Sequence, residues 1–316
     1  MFLSFRKCLP HSVVKILKRI VALMRGTWPL SLATYSLKRS ANLDTITGKI
    51  RYKMAYDRNP IMTMFADKVR VREYVRETIG EEYLTSTLHV LDSAAKLDDL
   101  DLPKEFALKS NHGSGAMILV WEKASKHLKL PGNPRSPNWD KFLIHPSSFD
   151  IGKAISLATI WLSQNYFYAP GRFPEWAYKD IEPKLIIEKI LIDKDGQLPM
   201  DYKLFVVNGK CEFIQVRSDR FDGQSRDLFT PTWERIEGTY LYPSGHAPVN
   251  PPSELEEMIS IAEKLASGVD FLRVDLYITV SGVKFGELTN YPDAGFGAFN
   301  PRALASQLAA NWIPRY

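Results

Sequence analysis

The sequence predicts an α+β protein whose two or three lobes close around a cleft. Three observations predict it. Amphipathic helical patterns come first along the chain, β-type runs interrupted by one helix dominate after about residue 180, and 316 residues with 45% apolar side chains exceed the usual single core.

The first elements are helical. Val13 to Arg25 is apolar but broken by cations, and its longest uninterrupted apolar run, Ile20 to Met24, is too short to cross a bilayer. No small-residue cleavage site follows, so no secretory signal is expected. Two readings stay open: a basic amphipathic helix lying on the inner membrane face, or a helix docked on its own domain. This helical preface ends near Gly48. Asn59-Pro60 breaks the chain, and helical periodicity then runs from Met64 to Gly80.

Strands follow. Phe106–Lys109 and Met117–Trp121 flank the polar turn Ser110–Gly115, residues 129–146 form a Pro-rich loop, and Ile151–Asn165 forms a helix. Leu185–Leu191 is a strand. Tyr202–Val207 and Cys211–Val216 pair through the hairpin turn Asn208-Gly209. The periodicity predicts a helix over Pro251–Ser267, with a capping box from Ser253 and Glu256 and Gly268 closing it. Phe271–Ile278 and Val283–Thr289 form the last hairpin, turned at Ser281-Gly282. There is no internal repeat.

Composition narrows the chemistry. The net charge of +5 suits a phosphate-rich ligand, an anionic polymer or an anionic membrane surface. Basic residues form no dense stripe with interleaved aromatics, so no nucleic-acid partner is expected. The two cysteines, Cys8 and Cys211, lie in no metal-ligand or CxxC spacing, which points to a reduced, cytoplasmic protein.

The last hairpin carries the strongest chemical signal. Its turn places Asp275 and Glu287 nearly opposite one another on one face, where like charges call for a cation between them. Mg²⁺, which takes one or two carboxylates plus waters and phosphate oxygens, is the economical choice. Arg273 shares that face by alternation and suits a phosphoryl group or oxyanion. Lys109 and the loop His112, Gly113, Ser114, Gly115 offer a cation and open backbone N–H groups to a phosphate chain, though an ordinary hairpin turn would look the same. Glu188, followed by Lys189, fits a purine-and-ribose contact or an edge-strand charge equally well. Lys203 is a further cation for the cleft. Arg217 and Arg220 are either anionic-substrate contacts or solvated loop charges.

Residues 56–60, 67–74 and 102–115, then Ile186-Ile187-Glu188, Asp201-Tyr202-Lys203, Arg273–Tyr277 and Phe285–Thr289, resemble the ATP-grasp superfamily. The likeness is closest to its TupA-like amidoligase branch from bacterial surface-polysaccharide gene clusters. It covers roughly residues 50 to 305. It implies an ATP-grasp fold with a nucleotide cleft between two α+β lobes: a helical extension over 1–48, an N-terminal lobe over 49–100, a small lobe over 101–195 and a C-terminal lobe over 196–316. ATP and Mg²⁺ are the implied cofactors. Lys109 and Lys203 would contact phosphates, His112 to Gly115 would lie over the triphosphate with Gly113–Gly115 as a lid, and Glu188 with Lys189 would sit at the adenine and ribose hinge.

Asp275 and Glu287 would hold the metal, and Arg273 would steady an acyl phosphate. The third metal ligand stays open between Thr289 and Asn290, because many ATP-grasp enzymes carry Asn where this chain has Thr289. The implied activity is amide formation between an amino acid or similar amine and a uronic acid, an anionic carbohydrate that Arg217 and Arg220 would bind. The alternatives are a glycosyltransferase or sugar kinase of the same pathway, for which no DxD strand end is evident, and a membrane-docked scaffold retaining only the fold.

Overall fold

The computed structural model describes residues 30–316 apart from 137, 170–171, 218–224 and 246–248. The expected N-terminal amphipathic helix, Cys8 and Arg220 lie outside the described residues. The described chain opens on helices α1 (Leu30–Ser40) and α2 (Ile46–Tyr56). Thr45 caps α2 by accepting from the Gly48 N–H at 3.1 Å, so Gly48 belongs to a helical turn and does not end a preface.

The continuous helix expected from Met64 to Gly80 is two helices, α3 (Ile61–Ala66) and α4 (Val71–Ile79). The break has a chemical cause. Asp67 Oδ1 accepts from the N–H groups of Val69 at 2.9 Å and Arg70 at 3.3 Å, which competes with helical pairing. Lys68 sits in that break.

Strands β1 (Thr87–Leu91), β2 (Phe106–Ser110), β3 (Met117–Val120), β4 (Lys141–Ile144) and β5 (Leu185–Glu188) form a first sheet in the order β1-β5-β2-β3-β4. Helix α5 (Ile151–Leu162), capped by Asp150 Oδ1 on the Lys153 N–H, covers it with Leu157, Ala158 and Trp161. Strand β4 lies inside the stretch expected to be loop. It pairs parallel to β3, and its four residues are too few to show a period.

The second sheet is antiparallel, in the order β11-β10-β6-β7-β8. Its strands are β6 (Asp201–Val207), β7 (Lys210–Arg217), β8 (Asp227–Phe229), β10 (Phe271–Thr279) and β11 (Gly282–Thr289). Asn208 and Gly209 both have positive φ in the β6–β7 turn, as their dipeptide predicted. A small ribbon pairs β9 (Thr239–Tyr240) with β12 (Phe299–Asn300), and α7 (Arg302–Gln307) follows.

Alternation along β10 divides its two faces. Leu272, Val274 and Leu276 pack in one core with Met258, Ile261, Ala262 and Leu265 of helix α6 (Leu255–Leu265), each such burial contributing roughly 1.5–3 kcal/mol. Helix α6 lacks the expected capping box: Ser253 Oγ donates to Glu254 Oε2 at 2.8 Å, and no side chain caps the first turn. Cys211 is a free buried thiol of the same core, and burial pushes it up to about 12. The other face carries Phe271, Arg273 and Asp275. Among the described residues no helix is long and apolar enough to cross a membrane.

Candidate active site

The charged face begins where an aromatic core ends. Phe205 stacks on Phe213 at 4.1 Å and pairs in register with Arg273, so the charges emerge from packed rings. Asp275 stands opposite Lys203 on β6 and opposite Glu287 on β11, and Arg273 stands opposite Thr289. The hairpin turn falls one residue earlier than expected, at Val280-Ser281, between the paired Thr279 and Gly282. A bulge at Gly286 then shifts the register by one and restores Glu287 to the place facing Asp275.

Glycine is required at that bulge. A Cβ on Gly286 would stand 2.7 Å from Tyr277 Cε2 and 2.9 Å from the Asp275 carbonyl oxygen. Gly286→Ala is therefore expected to destabilise the protein by about 1–3 kcal/mol in urea unfolding, since the backbone oxygen cannot swing aside.

Arg273 organises the carboxylates. Its Nε and Nη2 donate to the two Asp275 oxygens at 2.6 and 2.8 Å, and Nη2 also reaches Glu287 Oε1 and Thr289 Oγ1, each at 2.9 Å. Lys203 pairs with Asp201 at 2.8 Å and with Asp275. Burial pushes the Asp275 carboxyl above its ordinary value against the pull of Arg273 and Lys203. Burial also acts to raise Glu287, but Arg273, Lys203, Lys68 and Lys141 outweigh it and hold Glu287 at about 2. Because 43% of that side chain is open to solvent, screening weakens the pull. Burial lowers Arg273, and its carboxylate partners more than reverse this, so it remains a fixed cation.

The first sheet and the helix break before α4 supply further cations. Lys109 Nζ lies 2.7 Å from Glu188 Oε2, and Arg72 of α4 lies 2.8 Å from Glu188 Oε1. Lys68 Nζ donates to the Gly113 carbonyl at 2.5 Å, so it spans from the helix break to the β2–β3 loop. Burial pushes Lys68 down to about 8, with Glu287 pulling upward and Lys109 and Lys141 pushing further down. Lys68, Lys141, Lys203 and Arg273 thus act together on a carboxylate that is open to solvent, and Lys109 adds to the field at Lys68. Such a field binds phosphate.

The β2–β3 loop is docked, which corrects the expectation of a free lid. Asn111 pins it: Nδ2 donates to Asp67 Oδ1 at 2.9 Å and the Glu182 carbonyl at 3.0 Å, while Oδ1 accepts from the Lys184 N–H at 2.7 Å. A Cβ on Gly113 would meet Trp139 Cζ3 at 2.3 Å, and one on Gly115, at φ +94°, would meet the Trp139 carbonyl at 1.9 Å. Those glycines permit close packing under Trp139. Ser114 remains exposed.

His112 is also corrected as a ligand contact. Its Nε2 donates toward the carbonyls of Trp161 at 3.0 Å and Gln164 at 3.1 Å, and Nδ1 accepts from Ser110 Oγ at 2.8 Å. Burial pushes it down to about 4. Above the ordinary value of 6.5 the ring is neutral in both states and full stability is present. As pH falls from there toward 4, the unfolded chain takes up a proton that the folded ring refuses, and up to about 3 kcal/mol is lost. The urea midpoint should fall over that window in the wild type and less steeply in His112→Gln.

The remaining expectations separate by strand parity. Thr289 joins the charged cluster, whereas Asn290 is buried on the opposite parity with Nδ2 donating to the Met62 carbonyl at 2.9 Å, and no contact ties it to Arg273, Asp275 or Glu287 among the described residues. Lys189 is exposed and its N–H is taken by the Ser86 carbonyl at 3.0 Å, so it stands apart from the Glu188 cluster. Arg217 ends β7 opposite Asp201 in register. Sequence reasoning did not single out Lys68, Arg72 or Lys141. The first two lie within the Asp67–Tyr74 stretch, but their charges read there as the polar face of a helix.

The donor set fits a hard divalent cation of the magnesium type. Two carboxylates face each other across one ladder, and Glu287 Oε2 makes no hydrogen bond among the described residues. The surrounding cations suit the phosphate oxygens that such an ion shares.

A family profile described as TupA-like ATPgrasp matches residues 48–312. No curated protein gives a significant match. Among solved structures, the ATP-grasp ligase PsnB complexed with a phosphomimetic variant of its minimal precursor, Mg and ADP is 11% identical, with a TM-score of 0.40 over 84% of this chain and 66% of that one. D-alanine–D-alanine ligase from Bacillus anthracis complexed with ATP is 13% identical, with a TM-score of 0.36 over 72% and 54%. The ADP complex of purK, N5-carboxyaminoimidazole ribonucleotide synthetase, is 11% identical, with a TM-score of 0.38 over 74% and 46%. The chain spans about half the length of the first structures it matches. Resting on the sequence match over residues 48–312 and not on these loose superpositions, the assignment is plain: the chain belongs to the TupA-like ATP-grasp family.

Proposed function

We propose that the protein is an ATP- and magnesium-dependent carboxylate–amine ligase that joins an amino acid or similar amine to a uronic acid of a surface-polysaccharide precursor. The observation that carries this reading is the facing pair Asp275 and Glu287, bridged by Arg273 and under the pull of Lys203, Lys68 and Lys141. ATP and magnesium follow from membership of the ATP-grasp family. The metal, when held by Asp275 and Glu287, would offset charge developing on the phosphates.

The chain's own residues would do the rest. Lys109 from the first sheet, Lys203 from the second and Lys68 from the helix break would orient the triphosphate. Arg273, held rigid by four hydrogen bonds, would steady the phosphorylated carboxylate. An amine then displaces phosphate, giving an amide with ADP and phosphate as the other products. Acyl phosphates hydrolyse wherever water has access, and the buried Arg273 and Asp275 would shield the phosphorylated carboxylate on one side.

The test is incubation with ATP, Mg²⁺, pooled amino acids and uronic acids. Amine-dependent release of ADP and phosphate is expected. Consumption of a UDP-sugar without ATP use would point to glycosyl transfer instead.

A further inference from the structure

The row of polar groups on the second sheet does not end at Lys203. Gln215 of β7 stands opposite Lys203, which stands opposite Asp275, so the three share one face. Gln215 is 1% exposed, and Arg226, at the approach to β8, brings its Nη1 to 3.4 Å from Gln215 Oε1. Arg226 belongs to that face by alternation, because Leu228 two residues on pairs with Gln215. Alternation turns the intervening Asp227 to the opposite face, where Arg235 holds it at 2.5 Å.

Arg226 is pinned in place without being neutralised. Its backbone N–H donates to the Pro243 carbonyl at 2.9 Å, and its guanidinium lies over the Tyr242 ring at 4.2 Å. Among the described residues Nε is buried without an acceptor, Nη2 makes no hydrogen bond, and no carboxylate pairs with the group. Arg273 differs: its Nε and Nη2 are both filled by Asp275. A buried donor left unbonded costs stability, so packing alone does not account for an arginine at this position. A fixed guanidinium whose one side-chain bond is long and to a neutral amide suits an oxyanion from outside the chain, which its planar fork can take in two places.

Position decides which oxyanion that is. Two strand spacings put Gln215 about 10 Å from Asp275 along the sheet. An anion held by Arg226 is therefore remote from the carboxylate that Arg273 would steady. It is also too remote to be the α-carboxylate of an amino acid whose amine attacks there. We propose that Arg226 anchors a second oxyanion of the acid substrate, either a phosphate carried by the sugar or the carboxylate of a neighbouring uronate residue. The inference rests on the ligase reading above and narrows its acceptor to a sugar diphosphate or an oligouronate, not a free uronic acid.

The test is calorimetric titration of the full chain, saturated with AMPPNP and Mg²⁺, using the wild type, Arg226→Gln and Arg226→Lys. The titrants are glucuronate, galacturonate, UDP-glucuronate, UDP-galacturonate and digalacturonate. The wild type should bind a UDP-uronate or digalacturonate at least about tenfold more tightly than the matching monouronate, and Arg226→Gln should remove that preference. Preference for a UDP-uronate identifies the phosphate as the anchored group, and preference for digalacturonate identifies the second carboxylate. Arg226→Lys keeps the charge and loses the fork, so it should retain only part of the preference, and it carries the comparison if Arg226→Gln does not fold. Equal affinity for all titrants in the wild type, no binding, or a preference undiminished in the variants overturns the proposal. A thermal shift with AMPPNP and Mg²⁺ reads nucleotide binding separately. An Arg226-dependent preference without that shift counts against the ligase reading alone, and the shift without the preference counts against the anchor alone.

Discussion

Glu287→Gln is expected to lower ADP formation by roughly a thousandfold while the protein melts within roughly 4 °C of the wild type. The substitution keeps the shape and removes the charge. Arg273 keeps its contacts to Asp275 and Thr289, so no buried cation is stranded. Glu287 is also 43% open to solvent, which limits what its neutralisation can do to the fold. The loss should therefore fall on turnover. Wild-type rates at saturating Mg²⁺ would mean that the metal is held elsewhere.

Arg273→Gln should damage both fold and activity. Asp275 is 1% exposed, and without the guanidinium it keeps Lys203 as its ion-pair partner. Removing one partner of a buried pair costs about 3–5 kcal/mol when the other charge is left uncompensated, and Lys203 holds the loss here to about the lower end of that range. Urea unfolding should show a loss of that order, and amine-dependent phosphate release should fall by at least about a hundredfold. Arg273→Lys restores charge but not the planar fork that reaches Asp275, Glu287 and Thr289 together, so it should recover stability only in part. A variant Arg273→Gln as stable as the wild type would contradict the clamp described here.

Much of the second sheet was legible in the sequence, because its strands are long and alternate cleanly. Phe271 to Ile278 showed its two faces, and Asn208-Gly209 announced its turn. The pairing of Asp275 with Glu287 was read correctly for a partly wrong reason. The turn lies one residue earlier, and the bulge at Gly286, which no period reveals, compensates. The first sheet was harder. Strand β4 is four residues inside a Pro-rich stretch, so Lys141 looked like a loop charge. Lys68 owes its place to a side-chain turn at Asp67, and Arg72 owes its to a partner 116 residues away. Local patterns carry no record of such distant pairing. The glycines at 113 and 115 looked like a phosphate loop, but their packing partner, Trp139, belongs to the same unread stretch.

The most direct measurement is a crystal structure with AMPPNP and Mn²⁺, which shares magnesium's preference for oxygen ligands and reveals its position by anomalous scattering. The account predicts a peak within about 2.2 Å of carboxylate oxygens from both Asp275 and Glu287, with the γ-phosphate beside Arg273. A peak elsewhere, with Asp275 and Glu287 touching only their present partners, would contradict it.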